Sequence, residues 1–369
     1  MTDLHLSYRE TGRLRALLRA WDERIAGEPP IALHRWASLA VWPVARSATV
    51  AASTGIEGNR LSLEEVEEVL SGGAVQGRVA DVRDVRNYNR ALDIANRAAL
   101  RQDFEWTQEL LRRLNATILD GLEDDERGEY RPGPVVVGGM YEPPEHHRIS
   151  GLMTQFVDWL RADDDDHTLV RAGLAHLNVV SIHPWLNGNG RTARVVGGLS
   201  LMRRGIAAPE LVNIEAVIRG QPDAYGAALQ ETHGSAYQPD RHAATAWLEY
   251  FAALAVDRLD LRTRLDAAIQ ADFGLLAMEL DAADRPLNWA PVLLAARIAP
   301  VRTTDVGARL GLSPSRARAV LAEAVAAGWL SVAGQRRGRR YVAADRLAGL
   351  PMRTPDVMDR LRRGRPIEG

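Results

Sequence analysis

The sequence predicts a mainly α-helical protein with a short β-hairpin flap and a C-terminal winged helix-turn-helix. Three observations carry this. Residues 1–100 show helical periodicity and few strand-like alternations. Val135–Val137, a Gly138-Gly139 turn and a proline pair read as a hairpin between loops. From about Asp284 the chain reads helix, Gly-Leu-Ser turn, helix, strand, basic turn, strand. A chain of 369 residues supports two or three domains. The expected segments are a helical region over 1–100, a central core over 101–275, the winged helix over 284–346 and a tail over 347–369.

Each element has a local reason. "ARSATVAASTGIEG" predicts a helix that stops at Gly58, a residue suited to the left-handed position after a helix end. "LSLEEVEEVLSGG" predicts a second helix, with Ser62 and Glu65 as a capping box and Gly72-Gly73 after its end. Residues 106–122 form an amphipathic pattern, and 150–161 and 168–182 are helical by period. A loop is expected from His183 to about Asn189. A helix then resumes over Arg191–Arg204, with Val195, Leu199 and Met202 on its apolar face. In the last region Arg316 and Arg318 open the second helix, and Arg336, Arg337, Arg339 and Arg340 would form the wing. The acidic run Asp163–His167 reads as a solvated loop rather than a metal site.

Composition excludes several chemistries. The chain has no cysteine, which removes disulfides, thiolate metal sites and cysteine nucleophiles, and suits a reducing compartment. All 46 cationic residues are arginine, so no lysine-dependent mechanism is available and every cationic phosphate contact is a planar guanidinium. The net charge of -2 argues against a chain that coats nucleic acid along its length, but not against one basic module. No signal peptide or membrane span is evident, and a cytoplasmic location is the expectation.

The densest chemistry lies in "HPWLNGNGRTAR", His183–Arg194. Gly188-Asn189-Gly190 leaves a loop and opens a helix, where exposed N–H groups bind anions and glycine lets a phosphate approach. Alone, this is also an ordinary turn. Arg191 and Arg194 lie three apart on the new helix and share a face, which suits a polyphosphate. His183 precedes Pro184, so it should leave its helix and project into the loop, where a neutral imidazole can accept a proton. His176, mid-helix, reads as packing or support for the site.

"HPWLNGNGR" resembles the signature of the Fic family: His-Pro-Phe, a variable residue, Asp or Glu, then Gly-Asn-Gly-Arg, often with a second Arg three later. "GEYRPGPVVVGG" resembles the approach to the family's β-hairpin flap, and "STGIEGN" its inhibitory sequence. A C-terminal winged helix is common in one large bacterial branch. The resemblance implies a Fic-type helical core and a protein adenylyltransferase (AMPylator), moving AMP from ATP to a Ser, Thr or Tyr hydroxyl. It implies His183 as general base and Gly188, Asn189 and Gly190 on the α- and β-phosphates, the Asn189 side chain included. Arg191 would support the phosphate loop and Arg194 would grip the γ-phosphate. Gly190 stands where a kinase branch carries lysine, which favours nucleotidyl transfer.

Asn187 replaces the family's metal-holding carboxylate, so Mg²⁺, or Mn²⁺, would be held weakly. Ser53, Glu57 and Gly58 would form the inhibitory element, with Glu57 paired to Arg194 and Ser53 anchoring the helix. Tyr225 would line the nucleobase pocket. Val135, Val136, Val137 and Tyr141 would meet the target chain. The expected partners are ATP and a target protein, with self-modification, DNA at the winged helix and a homodimer left open, and no membrane. The alternatives are a DNA-binding regulator whose weakly active core senses nucleotide, a deAMPylase, or another nucleotidyl or phosphoryl transferase.

Overall fold

A computed structural model describes residues 3–27, 37–122, 127–162, 165–206, 210, 214–334 and 339–364. Five helices come first: α1 (Gly12–Gly27), α2 (Ala37–Ile56), α3 (Leu63–Leu70), α4 (Val79–Ala99) and α5 (Gln108–Ile118). After the flap come α6 (Ile149–Arg161), α7 (Thr168–Ile182), α8 (Asn189–Arg203), α9 (Ile214–Gly220), α10 (Pro222–His233) and the long α11 (Thr245–Ala282). The C-terminal part contains α12 (Ala290–Ile298), α13 (Thr303–Leu310), α14 (Pro314–Ala326), β1 (Leu330–Ala333), β2 (Arg340–Ala343), α15 (Asp345–Ala348) and α16 (Thr354–Arg363). The mainly helical class is as expected.

α7 is the centre of the molecule. It is apolar nearly all round, and every residue from Leu169 to Ile182 is buried, as a helix without a polar face must be. It packs against α8 and α11 through small residues. At Gly173 an added Cβ would lie 2.9 Å from Leu248 Cδ2. The buried core around it draws on α4, α5, α6, α8 and the first half of α11. A second core gathers Leu265, Ile269 and Leu276 of α11 with α12, α13, α14, Trp329, Tyr341 and α16. α2 belongs to both: Leu39, Val41 and Val44 enter the second core, Val50 and Ala51 the first.

Local signals acted as expected in several places. Ser62 accepts from Glu65 N–H and Glu65 accepts from Ser62 N–H, a complete capping box on α3. Gly58 takes φ +91° just past α2. α5 is shorter than the predicted 106–122, because the Thr107 side chain caps it at Leu110 N–H and positive-φ Gly121 follows its end.

The flap is a turn closed by one antiparallel bridge, Val137 to Tyr141, with Gly138 and Gly139 both at positive φ. The ladder goes no further: Glu142, the next residue, gives its N–H to Ser235 O, and Pro143, which would face Val135, has no N–H.

In the C-terminal part, helix, Gly311 turn, helix and two antiparallel strands follow in the expected order, and Val301 bridges Tyr341. The expected wing residues Arg336 and Arg337 lie outside the described residues, as do Asp163 and Asp164 of the acidic run. Arg340, expected in the wing, turns inward instead. It pairs with Glu68 and the Ser71 hydroxyl of the α3 end, so it is not free for a nucleic acid.

Candidate active site

His183 ends α7 in the left-handed region, φ 49° and ψ 59°. It leaves the helix before Pro184 as expected, but into a conformation that both its Cβ and the following proline disfavour, not into extended backbone. External bonds hold it there. Arg131 Nε donates to the His183 carbonyl at 2.9 Å, and Arg131 N–H donates to Pro184 O at 2.9 Å. His183 Nδ1 faces Val180 O at 3.4 Å, which favours the proton on Nδ1 and leaves the Nε2 lone pair outward. Burial, aided by the Arg131 charge, lowers its pKa to about 4, against the opposing Val180 carbonyl and Glu57. The imidazole is therefore neutral at pH 7 and able to accept a proton.

The loop beyond it is held by amides. Asn189 Nδ2 donates to Trp185 O at 2.8 Å, and its Oδ1 accepts from Trp185 N–H at 3.1 Å. The Asn189 side chain thus closes the loop with one bond at each polar atom, and the residue is buried. Gly188 caps α8 at φ 77°, with Asn115 Nδ2 2.9 Å from where a Cβ would sit. Asn115 donates to Asn187 O at 3.0 Å and accepts from Gly128 N–H at 3.0 Å, joining α5 to the loop. The first bond of α8 runs from Thr192 N–H to Gly188 O, so the N–H groups before it face out of the helix start.

Arg191 and Arg194 do not form a joint clamp. Arg191 turns to Asp84 of α4, itself held by Asn59 Nδ2 at 3.0 Å. Arg191 thus fixes the loop against α4, while its charge still acts on Glu57. Arg194 is fully buried. Its Nε donates to Ser53 Oγ at 2.7 Å, and its Nη2 to Ser53 O at 3.0 Å and Glu57 Oε1 at 2.8 Å. Ser53 and Glu57, one turn apart at the end of α2, therefore grip one guanidinium.

The Glu57 carboxylate also lies over Gly190: an added Cβ there would be 2.6 Å from Glu57 Oε1. The chain's own anion occupies the start of α8, where the helix dipole favours negative charge. Burial opposes the Glu57 charge, but Arg194 and Arg191 overcome this and hold its carboxyl below the usual range. Glu57 keeps an open outer side, 28% exposed, toward the groove.

The remaining expected residues separate. Val136 and Met140 of the flap are well exposed, at 59% and 67%, with Val135 and Val137 half-buried beside them. Tyr141 is not at the target-facing surface. Its hydroxyl donates to Ser181 O at 2.8 Å and its ring stacks on His233, 4.5 Å between centroids, so it is a core residue. Tyr225 is half-buried, within hydrogen-bond distance of His176 Nε2 at 3.2 Å and edge-on to Trp247. His176 itself is buried, as read. Asn187 is exposed. Among the described residues no group of three or more His, Asp or Glu could hold a metal ion. One neutral amide oxygen does not fit the carboxylate donors by which proteins hold Mg²⁺. No described helix is long and apolar enough to cross a membrane.

Residues 105–201 match the Fic/DOC family. The protein adenylyltransferase Fic of Drosophila willistoni is 36% identical over 157 residues, 42% of this chain and 31% of the relative. That of Drosophila grimshawi is also 36% identical over 157 residues, 42% of this chain and 32% of the relative. The match thus spans about a third of the length of these curated relatives. Among solved structures, a Fic family protein from Desulfovibrio desulfuricans G20 superposes with a TM-score of 0.60 at 23% identity, covering 92% of this chain and 98% of that one. A segment of Fic-1 from C. elegans gives 0.52 at 21% identity, covering 68% and 71%. With the His183–Arg194 loop in place between α7 and α8, residues 105–201 of the chain match the Fic/DOC family, and the fold around them is that of the solved Fic structures.

Proposed function

We propose that this chain is an autoinhibited protein adenylyltransferase. One observation carries the reading: the Glu57 carboxylate sits on the α8 helix start and on Arg194, beside a neutral His183. A site that the chain fills with its own anion, between backbone N–H groups and a buried guanidinium, is built for an exchangeable anion. The curated relatives that match here are named protein adenylyltransferases.

With Glu57 withdrawn, Arg194 and the N–H groups of α8 bind the ATP phosphates. His183 Nε2 takes the proton of a Ser, Thr or Tyr hydroxyl. That oxygen attacks the α-phosphorus as the bond to the β-phosphate oxygen breaks, AMP stays on the protein and pyrophosphate leaves. Positioning and charge neutralisation supply most of the acceleration. The exposed Val136 and Met140 give the target chain an apolar edge beside this point. Among the described residues none builds a metal site beside the loop.

The test is labelling with radioactive ATP. Glu57→Gly should raise self-labelling or target labelling by about 100-fold or more, and His183→Ala in the same background should abolish it. No label on Glu57→Gly with either Mg²⁺ or Mn²⁺ would count against the reading. A second reading, DNA binding by the C-terminal part, rests on Arg316 and Arg318, both exposed near the start of α14.

A further inference from the structure

The stretch around Arg131 leaves carbonyls without partners. Pro132, Pro134, Pro143 and Pro144 supply no N–H, and Pro184 follows the end of α7. Three buried or half-buried segments meet here with acceptors to satisfy. One guanidinium serves all of them. Arg131, 2% exposed, donates from Nε to His183 O at 2.9 Å, from Nη1 to Gly133 O at 2.6 Å and from Nη2 to Pro144 O. Its own N–H reaches Pro184 O. Among the described residues no carboxylate lies within ion-pair distance of it. An arginine fork, with five donors in fixed geometry, can join three carbonyls that no helix or sheet could pair.

We propose that Arg131 is a positioning residue that locks the strained His183 backbone to both ends of the flap, so that the imidazole and the target chain are presented in one fixed relation. Gly133 precedes the flap and Pro144 follows it, so both flap ends and the base hang on one side chain. Without it, His183 is free to relax from φ 49° toward the extended backbone that a following proline favours, and its ring would swing with it. A shift of about 1 Å in such a group costs on the order of 100-fold in rate.

The guanidinium also places a charge near the ring, with the Glu145 carboxylate acting on it beyond ion-pair distance. The charged and titratable groups that act on His183 are Arg131 from the flap base and Glu57 from α2, and His233 of α10 is coupled to it.

The inference rests on the adenylyltransferase reading for its rate, but not for its geometry, so the experiment reads both. Arg131→Gln and Arg131→Lys are made in the Glu57→Gly protein. Transfer kinetics, ATP affinity and the NMR titration of the His183 ring are measured on the full chain. Arg131→Gln should lower kcat about 100-fold, leave the ATP Kd within about threefold and move the His183 titration to higher pH. Arg131→Lys, which keeps charge and two or three donors, should recover kcat to within about tenfold and leave the titration near that of the parent. A folded Arg131→Gln protein with an unmoved His183 titration overturns the proposal, whatever its rate. Should Arg131→Gln not fold, Arg131→Lys decides alone: a large loss of kcat with an unmoved titration overturns it. If the Glu57→Gly parent transfers nothing, the adenylyltransferase reading fails. The titration of Arg131→Gln then decides the role of Arg131 separately; where that variant does not fold, hydrogen exchange of the Val137 and Tyr141 amides in Arg131→Lys decides, faster than in the parent if the side chain ties both flap ends and unchanged if it does not.

Discussion

Two helix starts in this molecule carry nearly the same local pattern. At α8, a positive-φ Gly188 leads into Arg191 and Arg194. At α14, a positive-φ Gly311 and the cap Ser313 lead into Arg316 and Arg318. Their surroundings are opposite. Arg191 and Arg194 are buried and each is answered by a carboxylate from a distant helix, Asp84 or Glu57. Arg316 and Arg318 stand in solvent, and no described acid pairs with them. The difference teaches that a pair of arginines at a helix start marks a reserved anion site only where the fold has desolvated it and supplied an opposite charge.

The largest effect that could break this comparison is on chemistry. His183→Ala in the Glu57→Gly background should remove general-base catalysis, a loss of about 10² to 10⁴ in rate, while the same background with Arg316→Ala and Arg318→Ala should label as its parent does. Equal losses would dissolve the distinction between the two helix starts.

Next comes the cost of unpairing a buried charge. Asp84→Ala strands Arg191, and breaking a buried pair costs about 3–5 kcal/mol. A clear fall in urea midpoint or Tm is expected, and a shift near zero would show that the pair is solvated. A smaller sharpening comes from acid. Burial lowers His5 and His183 to about 4 and His176 and His233 to about 3 from an ordinary 6.5. Folded-state pKa values below the unfolded one mean that the unfolded chain binds more protons, so stability is full above about pH 6.5 and is lost as pH falls toward 4. Glu215, raised by burial to about 7, works the other way, as do Glu67 and Asp84, whose carboxyls burial also raises, but the four histidines dominate the window between pH 5 and pH 7. Tm should drop by about 5 °C or more between pH 7 and pH 5 by calorimetry. Last, Arg316→Ala with Arg318→Ala should change stability by less than about 0.5 kcal/mol, as for open surface positions. A larger change would show that α14 is more tightly tied than its exposure suggests.

What could be read from the sequence was local. The capping box at Ser62, the left-handed Gly58, the break of α7 at His183 and the one-turn spacing of Ser53 and Glu57 all follow from residues within four of each other. What could not be read was which distant group answers each of them. Asp84 lies in "DVRDVRNYN", an unremarkable charged helix, and Asn115 in an amphipathic one. Arg131 lies in the stretch that leads into the flap, yet nothing local shows that it turns back to His183. A run of prolines without N–H groups was the one available hint. The place of Tyr141 is hidden for the same reason: a tyrosine looks alike on a surface and in a core, and only its tertiary partner, Ser181 O, decides.

The central claim is that Glu57 holds the place of a substrate anion over α8. Intact-mass spectrometry of the Glu57→Gly protein after incubation with ATP tests it most directly. The account predicts an added AMP on the chain or on a supplied target, absent from the parent protein and from Glu57→Gly with His183→Ala. A Glu57→Gly protein that binds ATP but gains no mass, with pyrophosphate never released, would contradict it.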